Sequence, residues 1–281
     1  MSFDGCAECN LALEALRDDA KMQKRALFVC WVDLRNAFGS VPHDALLQAC
    51  AARGLPARFL DLLRSAYEGG TLELVGAPPG DAPIREVVGL KQGCPLSPLL
   101  FNVYLDPVLR KLADTAGGYK LSGGERLDAL AFADDMAIMS AEKGPLQRSI
   151  DVCAECCATL GLEVNAAKTP TIGLQYASGR TGKVLEVEFE VDGVKLEPIR
   201  DPKHFRYLGR PFGREEAPDV KSELEAIGDD ARAIECSYLA PWHKMEAVQS
   251  FLVPPLDDPF LGGATFTLTN STSSTRSCAQ P

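Results

Sequence analysis

The apolar positions along this chain change period several times, and the changes mark its elements. In "CAECNLALEALRDDAKMQKR" (6–25) they recur every three to four residues, which predicts an amphipathic helix. "ALFVCWVD" (26–33) is a short apolar, β-branched run ending on Asp33, the pattern of a buried strand. "HDALLQACAARG" and "ARFLDLLRSAYEGG" read as two more helices, closed by Gly54 and Gly69. "TLELVG" and "IREVVG" predict a hairpin across the turn-rich "APPGDAP". "PLSPLLFNVYLDPVLRKLADT" opens with prolines that suit a first helical turn, while Pro107 inside it predicts a kink or a break. "RLDALAFADDMAIMS" reads as two strands around a tight acidic turn, and "LQRSIDVCAECCATLGLEV" as a helix ending near Gly161. "KTPTIGL" and "VLEVEFEVDGVKLEPI" follow as strands, the second a hairpin turning at Asp192-Gly193. From Ala217 to about Phe251 the pattern is helical again, and the Ser/Thr-rich end predicts disorder.

This order suits an α+β fold: an antiparallel sheet with helices packed on one face, followed by a helical appendage. A doubly wound sheet would need repeating βαβ units and a Gly-rich first turn, and the chain has neither. With 281 residues, 46% of them hydrophobic and 24% charged, the chain can bury a real core in one large domain or two modest ones. No apolar run approaches the ~20 residues that span a bilayer, and the start lacks a signal pattern. Both features predict an intracellular protein, nuclear or cytoplasmic, with no membrane partner. In a reducing compartment the ten cysteines read as thiols. The C-x-x-C pairs Cys6/Cys9 and Cys153/Cys156 lie too far apart for a zinc ribbon, and both fall in helical patterns where such spacing shares one face. The formal net charge of -10 argues against a phosphate-backbone partner, because such binding leans on Lys and Arg.

The chemistry concentrates on aspartates. Asp134 and Asp135 interrupt the apolar "LAFADDMAIMS", and Asp33 ends the first predicted strand. If the acidic hairpin lies beside that strand, three carboxylates converge. Without cations they repel; hard divalent cations reverse the sign. Taken alone, "ADD" reads first as an acidic turn, since Asp is a common turn residue, and only the apolar flanks speak for more.

The stretches around these aspartates extend the picture. In chain order they are "DLRNAFGSVPHDAL", "GLKQGCPLSPLLFNVYLD", "FADD", "GLEVNAAKT" and "FRYLG". Together they resemble five successive motifs of reverse transcriptases, closest to those of non-LTR retrotransposons, with group II intron enzymes as relatives. The resemblance runs from about Gly5 to Leu256. It implies a right-hand polymerase palm over residues 1–213 with a remnant of the fingers, the start of a helical thumb over 214–260, and a low-complexity tail over 261–281. It also implies an RNA template, a DNA primer, deoxynucleoside triphosphates and two Mg²⁺ ions, with Mn²⁺ as an alternative.

Residue by residue, the resemblance makes Asp33 and Asp134 the cation ligands, with Asp135 a weaker ligand and the Leu34 carbonyl a further one. Phe38 matches the aromatic under the incoming sugar, where its bulk excludes a 2′-hydroxyl; read alone, it is a core aromatic. Gly39 stands where many relatives carry Asp. Gln92 and Gly93 match the pocket for nucleotide and template, and Pro95, Ser97 and Pro98 the start of the next helix. Without the other motifs, that stretch is a plain proline-shaped helix start. Lys168 matches a lysine that protonates the pyrophosphate leaving group, though a lone loop lysine is usually only solvated. "FRYLG" resembles the primer-grip turn.

Only 32 residues precede Asp33, and the basic fingers segment of relatives has no counterpart in them. The expectation is a fragment of a mobile-element polyprotein whose basic parts lie elsewhere, which accounts for the acidic balance. Its alternative is a decayed, non-catalytic palm that folds without polymerising. A nucleotide cyclase-like palm, prompted by "SGGERL", fails because its glycines precede Glu and leave the other motifs unexplained.

Overall fold

The computed structural model describes residues 5–68, 70–72, 84–176, 182–201, 203–214 and 220–253. The chain divides into two compact units, Met1–Ala217 and Pro218–Pro281. In the first, α1 (Gly5–Met22) leads into β1 (Ala26–Val32), and α2 (His43–Ala52) and α3 (Ala57–Tyr67) follow. A short hairpin of β2 (Thr71–Leu72) and β3 (Ile84–Arg85) precedes α4 (Ser97–Asp114). Its expected turn, 77–83, lies outside the described residues. Then come β4 (Tyr119–Lys120), β5 (Arg126–Leu127), β6 (Ala129–Phe132), β7 (Asp135–Ser140), α5 (Lys143–Thr159) and β8 (Pro170–Gln175). The unit ends with β9 (Lys183–Val184), β10 (Glu190–Val191), β11 (Val194–Lys195), β12 (Glu197–Pro198), β13 (Phe205–Tyr207) and β14 (Arg210–Phe212).

Six strands make the main sheet, in the order β12-β8-β1-β7-β6 with β9 also on β8; all pairs are antiparallel except β12 with β8. This is the α+β layer expected of a polymerase palm. β1 lies at the centre, and its residues alternate between two cores. Phe28, Cys30 and Val32 join α2, α4 and α5 on one face. Leu27, Val29 and Trp31 join Leu13, Leu16 and Ala20 of α1, with the β13–β14 hairpin, on the other. Burial on both faces explains why β1 reads as an unbroken apolar run. The helices expected on one face are there as α4 and α5, and the opposite face carries α1 in addition.

α4 runs unbroken through Pro107. A mid-helix proline forfeits one backbone bond and costs about 3 kcal/mol. Here its ring lies on the exposed side, while Tyr104, Leu105 and Val108 beside it are buried in the core. Burial of three large side chains, at about 1.5–3 kcal/mol each, outweighs the loss. α2 and α5 close on left-handed glycines, Gly54 at φ +76° and Gly161 at φ +74°. Cys153 and Cys157 of α5 are buried in the core as small apolar side chains.

The second unit consists, among its described residues, of α6 (Val220–Cys236), α7 (Pro241–Ala247) and a π-helical turn over Val248–Leu252. The tail expected over 261–281 lies outside the described residues. Among the described residues, no helix is long and apolar enough to cross a membrane.

Candidate active site

The acidic hairpin lies directly beside β1. The two strands pair antiparallel with Val32 opposite Met136, so the next residue on each, Asp33 and Asp135, meets the other across the end of the sheet. On the far side of β7, Phe132 pairs with Asp135, which leaves Ala133 and Asp134 as a two-residue turn. Ala133 takes φ +53°, a left-handed conformation that a two-residue hairpin demands and that Ala rarely adopts. The turn therefore carries strain at the residue next to Asp134.

Asp33 is held from its other side by the segment after α5. Leu34 and Val164 form an isolated antiparallel bridge, with Arg35 N donating to Glu163 O and Asn165 N to Asp33 O, both at 2.8 Å. Neither bond uses the Leu34 carbonyl. Asp33 N donates to Thr169 Oγ1 at 3.2 Å, and Asn165 Nδ2 donates to Asp33 Oδ2 at 2.9 Å. Lys168 ends the short 3₁₀ turn Ala166–Lys168 in the same segment.

Burial, and then the neighbouring charges of Asp134 and Asp33, push the Asp135 carboxyl above the usual carboxylate range. The Asp135 carbonyl accepts a hydrogen bond from Tyr207 Oη at 3.3 Å, which ties the acidic turn to the β13–β14 hairpin. An open cavity of about 350 Å³ has Asp33, Asp135 and Lys168 on its walls, with Trp31 and the hairpin residues Phe205 to Gly209. The three carboxylates are close enough to feel one another. However, among the described residues no three His, Cys, Asp or Glu side chains gather tightly enough to enclose a metal ion. One Asp33 oxygen is taken by Asn165, and consecutive residues such as Asp134 and Asp135 leave the chain in different directions.

The other expected residues form a second group. The Phe38 ring stacks on buried Phe101 of α4, with centroids 4.5 Å apart and planes 19° off parallel. Leu90 N donates to Phe38 O at 2.7 Å and Gly89 N to Val41 O at 2.8 Å, so the loop carrying Gln92 and Gly93 is tied to the Phe38 segment. Gly89, at φ +99°, lies where a Cβ would come within 3.3 Å of Gly39 O. A Cβ on Gly39 would in turn meet the Asn36 side-chain amide at 2.4 Å, so a larger residue there requires the Asn36 side chain to turn aside. Gln92 and Gly93 are exposed. Ser97 opens α4, its buried hydroxyl donating to Lys91 O at 2.7 Å, with Pro98 in the first turn. Phe38, Gln92 and Gly93 do not line the cavity of Asp33 and Asp135, and neither do Leu34 and Asp134.

Three residues that contact the aspartates escape a reading of the sequence alone: Asn165, Thr169 and Tyr207. Asn165 and Thr169 lie in "GLEVNAAKT", and an Asn at the start of a short turn is a local cue to capping, but nothing local says that its side chain reaches Asp33.

The family model for "Reverse transcriptase (RNA-dependent DNA polymerase)" matches residues 4–212. The Pol polyprotein of retrotransposable element R2 from Nasonia vitripennis is 31% identical over 255 residues, covering 89% of this chain and 24% of that protein. The R2DM polyprotein of Drosophila melanogaster is 29% identical over 257 residues, covering 90% of this chain and 24% of the relative. The chain thus spans about a quarter of the length of these relatives. Among solved structures, apo telomerase from Candida tropicalis, truncated from its C-terminal domain, matches with a TM-score of 0.48 and 16% identity, over 63% of this chain and 36% of that one. With a family match that runs from the start of α1 to the end of β14, the chain belongs to the reverse transcriptase family.

Proposed function

We propose that this chain carries the polymerase centre of an RNA-directed DNA polymerase of the retrotransposon type, which extends a DNA primer on an RNA template. The observation that supports this reading is the β1–β7 register, with Asp33 and Asp135 opposite each other on a cavity that also has Lys168 on its wall.

The donor set suits hard divalent cations. It consists of oxygens alone, and the charges of Asp134 and Asp33, which add to burial in raising Asp135, are an excess of negative charge that Mg²⁺ would relieve. Asp33 and Asp134 would hold two such ions, with Asp135 and the Leu34 carbonyl as further ligands. Bound there, the ions supply positive charge to the triphosphate.

The primer 3′-hydroxyl gives up its proton to water as its oxygen attacks the α-phosphorus of a deoxynucleoside triphosphate. A P–O bond to the primer forms, the α–β anhydride bond breaks, and pyrophosphate leaves. Lys168 gives the departing pyrophosphate a proton. Phe38, backed by Phe101, sets the steric limit at the 2′ position of the sugar. Gln92 both donates and accepts near the base or sugar, and Gly93 lets the backbone come close. The helical unit after residue 217 acts as the start of the thumb.

The experiment is primer extension on an RNA template by the full chain, with Mg²⁺, comparing wild type and Asp134→Asn. Mg²⁺-dependent extension that the substitution abolishes supports the reading. A wild type with a folded circular-dichroism spectrum and no extension overturns it in favour of a non-catalytic palm.

A further inference from the structure

Asp33 is held by hydrogen bonds to both its main chain and its side chain, and the residues that hold it take no part in the phosphoryl transfer itself. Asn165 N donates to Asp33 O at 2.8 Å. Asp33 N donates to Thr169 Oγ1 at 3.2 Å, and Thr169 Oγ1 donates to Asn165 O at 2.9 Å. A hydroxyl has one proton, and giving it to Asn165 leaves the Thr169 oxygen to accept from Asp33. The three bonds close a ring through both main chains, with Thr169 only 1% exposed.

This ring fixes where the Asp33 backbone lies. It does not fix the carboxylate, which can still turn about its own side-chain bonds. That task falls to one further bond, Asn165 Nδ2 to Asp33 Oδ2 at 2.9 Å. A carboxylate only accepts, so the amide must present its nitrogen, and its orientation is settled by chemistry. With Oδ2 taken, the carboxylate turns Oδ1 to an incoming cation. The Asn165 carbonyl also accepts from Lys168 N at 2.9 Å, so the same residue seats the turn that carries Lys168.

We propose that Asn165 is a positioning residue for the cation site: its side-chain amide sets the rotamer of Asp33 so that one defined oxygen faces the metal, while Thr169 and the two main chains hold the frame. The inference rests on Asp33 being a cation ligand. Partners of this kind, one step removed from the metal, typically change affinity by about 10–100-fold when removed.

The test is direct binding of Mn²⁺ to the full chain, without nucleic acid, by calorimetry or electron paramagnetic resonance. Asn165→Ala removes the amide but keeps the main-chain bond to Asp33 O. It is expected to weaken Mn²⁺ binding about tenfold or more with little change in melting temperature. Thr169→Ser, which keeps the hydroxyl, is expected to bind as wild type. Asn165→Ser, too short to reach Oδ2, should reproduce the loss and serves if the alanine variant does not fold. Asp33→Asn supplies the reference. If it loses binding while both folded Asn165 variants bind as wild type, the positioning role is overturned and the Asp33 reading stands. If Asp33→Asn itself binds Mn²⁺ like wild type, the cation site is overturned and the positioning role with it.

Discussion

Two aspartates, Asp19 and Asp135, show how the same side chain serves opposite ends. Asp19 on α1 is 3% exposed, yet its carboxyl is held below the usual range. Burial alone would raise it. The hydrogen bonds from Ser122 N and Tyr119 Oη, each at 3.0 Å, together with the nearby Arg25 charge, outweigh that effect. Asp135 is more exposed, yet its carboxyl is raised, first by its partial burial and then by the charges of Asp134 and Asp33, with no donor among the described residues to offset them as at Asp19. The direction is therefore set by the company a carboxylate keeps as much as by its depth. An acid supplied with donors is part of the frame. An acid beside other acids on the wall of a cavity carries an excess of negative charge, and a divalent cation is the kind of partner that relieves it.

If Asp19 is purely structural, its loss should damage the fold and spare the cation site. Asp19→Ala leaves the Tyr119 hydroxyl and the Ser122 amide without their acceptor. Hydrogen bonds to charged groups are worth about 1.5–3 kcal/mol, so the variant should lose about 3 kcal/mol in a urea titration. Its Mn²⁺ affinity should match wild type below the transition. Unchanged stability, or lost Mn²⁺ binding in a folded variant, would break the contrast. Tyr119→Phe removes only the hydroxyl and leaves the Ser122 bond to Asp19. It should cost about half as much, roughly 1.5 kcal/mol, by the same titration.

The contrast also separates what could be read from the chain from what could not. β1 was legible because burial on both faces makes every position from Leu27 to Val32 apolar, and the first polar residue after it is Asp33. The acidic turn was legible because two charges stand out between apolar strands. Asp19 was not: "LRDDAK" looks like the polar side of an amphipathic helix, and its partners Tyr119 and Ser122 lie about a hundred residues away. Asn165 and Thr169 escaped for the same reason, since they meet Asp33 across more than 130 residues. Periodicity reports which face a residue occupies, and single long-range hydrogen bonds leave no period. Pro107 shows the converse failure, where a valid local rule is overruled by the core around Tyr104, Leu105 and Val108.

The smallest effect expected is also the most direct measure of the difference, because it is one of sign. A carboxyl held below its unfolded value stabilises the fold above that value, and the contribution is lost as pH falls through the folded one. Asp19 should therefore make wild type lose stability on the acid side of the ordinary carboxylate range, near pH 4 and below. A carboxyl raised above its unfolded value behaves in the opposite way. Its contribution is complete below the ordinary range and is lost as pH rises through the raised value. Asp135 in the metal-free chain should thus be a liability at neutral pH. Asp135→Asn is expected to melt slightly higher than wild type at pH 7, with the gain shrinking to nothing below about pH 4. Asp19→Asn should melt lower at pH 7 and approach wild type in acid. Melting curves of the three proteins from pH 3 to 7, with chelator present, measure both slopes. An Asp135→Asn curve that runs parallel to wild type across this range would mean that Asp135 is an ordinary solvated turn residue, and the difference in company between the two aspartates would then have no energetic consequence.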